Sequence, residues 1–175
     1  MNNVSILILP SVEGVSSGQS AALQDFVAQG GHLIVSGAFG SDATSPVQQQ
    51  LRSLVGAYWA FALPSPTVLY PTALRSLEDM NEAAPIRGGV IMPMGLRSDT
   101  VATWQEAVEV SLPNRPGTTE VVTQGSPAVV STAQSTFLGW NWGYGDADMT
   151  FDGNWMAFAV EQHVAAVQQA KENLS

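Results

Sequence analysis

A chain of 175 residues, 45% hydrophobic and 12% charged, can bury one substantial core but is short for two, so a single domain over 1–175 is expected. Six Lys+Arg against 15 Asp+Glu leave a formal charge of −9, which argues against nucleic acid and anionic membrane surfaces as partners, since both need clustered cations. With no cysteine there is no disulfide, thiolate metal site or cysteine nucleophile, and residues 1–10 lack the basic start and apolar length of a signal or membrane segment, so a soluble, cytoplasmic chain is expected.

In chain order, Val4–Leu9 reads as a first strand, stopped by Pro10, which has no N–H to give a central ladder. Ser16 and Gln19 stand in capping-box relation and open a helix over 17–29 carrying Leu23, Phe26 and Val27. Gly30 and Gly31 end it, because glycine takes the left-handed cap without a Cβ penalty. Leu33, Ile34 and Val35 form an unbroken apolar run, as expected of a strand over 32–36 covered on both faces. Strand, helix and strand make one βαβ crossover with parallel strands, whose functional edge lies past the strand ends, at 10–13 and 37–42.

Val47, Leu51, Leu54 and Val55 then share one face of a second helix that stops at Gly56. Residues 57–63, bounded by Pro64 and Pro66, read as a strand or packed extended segment, and 67–70 as a short strand. Beyond Pro71 the pattern breaks into short apolar runs at 90–92 and 108–112, so 60–125 is expected to be an irregular, β-rich excursion. Three short strands are predicted at 118–123, 128–131 and 136–139. A last helix spans 155–172, with Met156, Val160, Val164 and Val167 at helical spacing and Asp152 or Asn154 as its cap.

The runs Ile6–Pro10, Phe26-Val27, Gly30–Gly37, Leu51–Ala57 and Phe137–Trp140 together resemble the class I glutamine amidotransferase-like fold. The pattern is nearest to its cysteine-less branch, which includes the middle, trimerisation domain of large β-galactosidases. The resemblance covers 4–57 and 126–170 and implies an α/β, flavodoxin-like three-layer sandwich with a mostly parallel central sheet. Laid on Ser36–Gly40, the family's Gly-x-Cys-x-Gly elbow puts Ala38 at the nucleophile position. The family's His-x-Glu pattern is missing, since Glu161-Gln162-His163 runs in reverse within a predicted helix. No glutaminase activity is therefore expected. Set against the family fold, the chain begins at an inner strand, which implies an open sheet edge and self-association as a homodimer or higher oligomer, unless the middle segment folds back to cover it.

The candidate ligand-binding residues are Ser36, Gly37, Phe39 and Asp42 at one strand exit and Trp140, Trp142 and Tyr144 at another. If 137–139 runs parallel to the first two strands, the two exits wall one crevice. Aromatic rings there stack on a sugar or anchor a partner, or else simply close the end of the core. Asp146, Asp148 and Asp152 offer oxygen ligands of the kind calcium takes, although the spacing departs from an EF-hand and helix capping accounts for the same residues. His32 at a strand entrance and His163 on the last helix read as structural, and two histidines leave little for a Ser-His-Asp triad. The sequence therefore reads as a non-catalytic ligand-binding, interaction or oligomerisation module, with a small-molecule or carbohydrate ligand. The alternative is a hydrolase or carbohydrate-active enzyme using the acids of 146–152 with Ser36 or Asp42.

Overall fold

The structure, a computed structural model, describes residues 5–71, 85–112, 115–122, 125–142 and 150–173. Its strands are β1 (Ile6–Leu9), β2 (His32–Ser36), β3 (Ala57–Ala62), β4 (Leu69–Pro71), β5 (Gly89–Pro93), β6 (Asp99–Trp104), β7 (Glu106–Leu112), β8 (Arg115–Val122), β9 (Pro127–Ser131) and β10 (Ser135–Leu138). Its helices are α1 (Ser17–Ala28), α2 (Ser45–Val55) and α3 (Thr150–Glu172).

The first unit forms for the local reasons read above. Ser16 Oγ accepts from the Gln19 amide at 3.3 Å while Gln19 Oε1 accepts from the Ser16 amide at 2.9 Å, which closes the capping box of α1. Past the helix end, Gly30 takes φ 91 and the chain turns into β2. β1 and β2 pair in parallel, from Ile6 opposite His32 to Leu9 opposite Val35. α2 carries Pro46 in its first turn and ends on Gly56 in the left-handed conformation.

The central sheet runs β1-β2-β10-β9-β6-β4. β10 joins β2 in parallel, but the β10–β9, β9–β6 and β6–β4 pairs are antiparallel. The sheet is thus mixed, which corrects the mostly parallel, flavodoxin-like expectation. The cause is a short link. Only residues 132–134 separate β9 from β10, whereas a parallel crossover needs a dozen or more residues. A hairpin is what remains, and the Thr132 amide donating to the Ser135 carbonyl at 2.8 Å closes it.

Among the described residues of 60–125 regular strands appear, and two of them, β4 and β6, extend the central sheet. β5 pairs antiparallel with β3, and β7 with β8, in two small two-stranded sheets. β6 has no predicted counterpart; Thr100, Val101, Thr103 and Trp104 favour a strand, but no apolar run announces it.

Alternation along β2 sends Leu33 and Val35 to one side and Ile34 to the other. Leu33 and Val35 meet Leu23 and Val27 of α1, Val47, Leu51 and Val55 of α2, and Phe137. Ile34 meets Leu138, Trp104, Trp140 and, from α3, Trp155, Phe158 and Ala159. Helices therefore cover both faces of one sheet, and each fully buried aliphatic side chain contributes about 1.5–3 kcal/mol. α3 begins at Thr150 rather than near 155, so Asp152 and Asn154 lie inside the helix and do not cap it. Among the described residues, no helix is long and apolar enough to cross a membrane.

Candidate functional site

β2 and β10 are neighbours, yet the chain leaves β2 for α2 on one face and β10 for α3 on the other. Where adjacent strands send their connections to opposite faces, the loops part and leave a crevice past the strand ends.

The floor of this crevice is tightly held. The Gly37 amide donates to the Leu138 carbonyl at 3.1 Å, which ties the two exits together. Gly37 takes φ 66, and a Cβ there would run into Asn141 Oδ1, so only glycine admits the Asn141 side chain at this spot. Ser11, after β1, is the one described non-glycine residue at positive φ (51°), and its amide donates to Ser36 Oγ at 3.1 Å. Such a conformation persists where its surroundings over-determine it. The Gly40 amide to the Val12 carbonyl (2.9 Å) and the Asp42 amide to the Glu13 carbonyl (3.1 Å) zip the β1 and β2 exits together.

Above this floor opens a pocket of about 260 Å³, lined by Glu13, Ala38, Trp59, Ala62, Leu63, Arg87, Gly88, Trp140 and Asn141. Its far wall is pinned to the β10 exit by backbone bonds. The Leu63 amide donates to the Gly88 carbonyl at 2.8 Å, the Gly89 amide donates to the Gly139 carbonyl at 2.7 Å, and Gly88 bridges Trp140. Arg87 is carried at the pocket by this fixed segment. A Cβ on Gly89 would strike the Trp59 ring, so the glycine allows the indole to pack close to the backbone.

Of the described residues predicted for ligand binding, Trp140 lines the pocket. Ser36 is 1% exposed and occupied by the Ser11 amide. Phe39 is buried edge-on against Phe137, with ring centroids 6.2 Å apart, on the α1/α2 side. Trp140 is itself buried, packed between Trp104 and Trp155 with centroids at 6.3 and 5.9 Å. Gly37 forms the floor, Asp42 is exposed outside the lining, and Trp142 is half-buried against the α3-side core. Tyr144, Asp146 and Asp148 lie outside the described residues, as does the side chain of Asp152. Sequence reasoning passed over Trp59, Arg87 and Asn141. Asn141 was legible as the first polar residue past a predicted strand, whereas Arg87 and Trp59 reach the site only through β3, β5 and the segment between them.

Ala38 stands at the elbow with a methyl group and without a positive φ. Both histidines lie far from it. His32 opens β2, roughly 15–20 Å back along the strand, and its ring meets that of His163 at 5.6 Å between centroids. His32 Nε2 bonds Thr136 Oγ1 at 3.0 Å. Burial first and His163 second lower its pKa to about 4, against an upward pull from the Ala133 backbone. No imidazole therefore reaches the pocket. Among the described residues, no group of three or more His, Asp or Glu could hold a metal ion. What the pocket offers is a carboxylate that accepts, a guanidinium that donates, an amide that does both, and an indole surface.

No family model matches the sequence, and no curated protein matches it. Solved structures do match in fold. A ThuA-like protein from Bacteroides uniformis superposes with a TM-score of 0.56 at 15% identity, over 91% of this chain and 69% of that one. It has the class I glutamine amidotransferase-like fold, in line with the resemblance drawn from the sequence. α-L-Fucosidase isoenzyme 2 from Paenibacillus thiaminolyticus gives 0.54 at 17% identity over 93% of this chain and 24% of that one. The cold-adapted β-galactosidase from Rahnella sp. R3 gives 0.52 at 14% identity over 96% and 23%. The chain thus spans about a quarter of the length of either glycosidase, and at these identities the likeness is one of fold.

Proposed function

We propose that this chain is a non-catalytic domain of the amidotransferase-like fold, which binds a small ligand in the crevice between β2 and β10. The observation that carries the reading is Ala38 at the elbow, with both histidines at the far end of the sheet. Among its described lining residues the pocket has groups to hold a molecule and no cysteine, serine or histidine. Glycoside hydrolysis normally uses a pair of carboxyl groups, and Glu13 is the one carboxylate among the described lining residues. A fold that makes up about a quarter of two glycosidases also suits a module that serves a larger assembly.

The test is to assay the purified chain for ammonia release from glutamine and for hydrolysis of aryl glycosides, beside a thermal-shift screen of small polar molecules. We expect no turnover, and stabilisation by a ligand that grows as RT ln(1 + [L]/Kd), about 2.7 kcal/mol at a hundredfold excess over Kd. Turnover abolished by Glu13→Gln would replace this reading with the enzymatic one.

Self-association belongs to the same proposal. β4 and β6 extend the sheet on the side away from β1, so β1 pairs with β2 alone among the described strands. An edge of this kind presents amides and carbonyls to a second copy. Sedimentation at micromolar concentration should give a mass above 18.5 kDa, and a constant 18.5 kDa would refute the association. Calcium at Asp146, Asp148 and Asp152 is a separate proposal, and a thermal shift with calcium but not magnesium is its check.

A further inference from the structure

We infer that the crevice takes a neutral, polyhydroxylated ring the size of one sugar residue. This rests on reading the crevice as a binding site and adds the class of its ligand. Size comes first. About 260 Å³ lies just under the roughly 300–1,000 Å³ of pockets that enclose drug-sized ligands, so the space suits one ring.

Charge comes second. Glu13 and Arg87 both line the pocket, so an anion gains from the guanidinium what it loses to the carboxylate, and a cation the reverse. A diol uses both at once. Its oxygens accept from Arg87, its hydroxyl hydrogens donate to Glu13, and Asn141 serves either role. The third argument is shape. Trp59, Ala62 and Leu63 supply an apolar wall for the C–H face of a ring, and an indole brings a large, rigid surface to it.

The backbone that carries these groups is held in place before any ligand arrives. Backbone bonds fix Leu63 to Gly88 and Glu13 to Asp42, and Gly37 leaves room for the Asn141 side chain. Less ordering is then required on binding, which favours a small ligand with few contacts of its own. An α-amino acid would also answer both charges, but it leaves the indole wall and the amide unused. It is therefore the informative control.

The experiment is a tryptophan-fluorescence and calorimetric titration of the full chain with glucose, galactose, mannose and xylose, beside glucuronate and glutamine. At least one neutral sugar should bind saturably and at least tenfold more tightly than glucuronate or glutamine. Arg87→Ala, Glu13→Gln and Trp59→Ala should each weaken it tenfold or more, with unchanged far-UV and near-UV spectra. Trp59 lies partly on the surface, and Trp59→Phe, which keeps a ring, should retain most of the affinity if stacking is the cause. Preferred binding of glucuronate or glutamine overturns the ligand class and leaves the crevice as a site. If the neutral sugars are silent while NMR fragments still shift Trp59 and Asn141, the class alone falls. If no probe perturbs the crevice, both readings fall.

Discussion

Gly37 meets two constraints at once, a positive φ and the Asn141 side chain lying where a Cβ would be. Gly37→Ala should therefore cost about 1–3 kcal/mol in chemical denaturation and displace Asn141 from the floor. A neutral effect would mean that the loop relaxes freely and that the floor is not preset. His32 makes a second prediction at this scale. Its folded pKa, about 4, lies below the ordinary 6.5, so the unfolded chain binds the extra proton between those values. Stability from this residue is fully present above about pH 6.5 and is lost as pH falls toward 4, by about 3 kcal/mol in all. Urea midpoints should fall across that window, and His32→Gln should flatten the fall. A slope that survives the substitution would assign the acid sensitivity elsewhere. Its place at the strand entrance suggested that His32 is structural, but its partner His163 lies 131 positions away and no local pattern pairs them.

At the scale of elements, α3 is held by aromatic contacts. Trp155 meets Trp140 at 5.9 Å and Phe158 at 5.6 Å, and it is 1% exposed. Trp155→Ala should cost about 3–5 kcal/mol, as large aromatic truncations in cores do. Trp155→Phe should cost much less, because the buried Nε1–H has no partner to lose. Equal losses in the two variants would show that the indole nitrogen is engaged after all. The same cluster shows that Trp140 is a core residue as well as part of the pocket lining. Trp104 and Trp155, which bury Trp140, come from β6 and α3, and a crowded strand exit looks alike whether its rings face a ligand or each other. The capping box of α1 and the glycine stops at Gly30 and Gly56 were legible, because each acts within one helical turn.

For the whole molecule, the separation of elbow and histidines yields a prediction about chemistry. Ala38→Cys supplies a thiol but no base, since His32 and His163 remain at the other end of the sheet. Ammonia release from glutamine by this variant should stay at background. Activity above background would show that another group deprotonates the thiol and would reopen the enzymatic reading. The sequence by itself determined the βαβ unit with its parallel pair, the two helices stopped by glycine, the final helix and the lack of cysteine. These rest on periodicity, caps and residue identity, which act over a few neighbours. It also held the clue to the β9–β10 hairpin in the three residues between them. Only the tertiary structure decided that β10 would sit beside β2, that β4 and β6 would extend the sheet, and that Glu13, Arg87 and Asn141 would share one pocket. Those pairings join segments up to about 130 residues apart, where the choice of partner depends on how all the buried faces fit together rather than on any local preference.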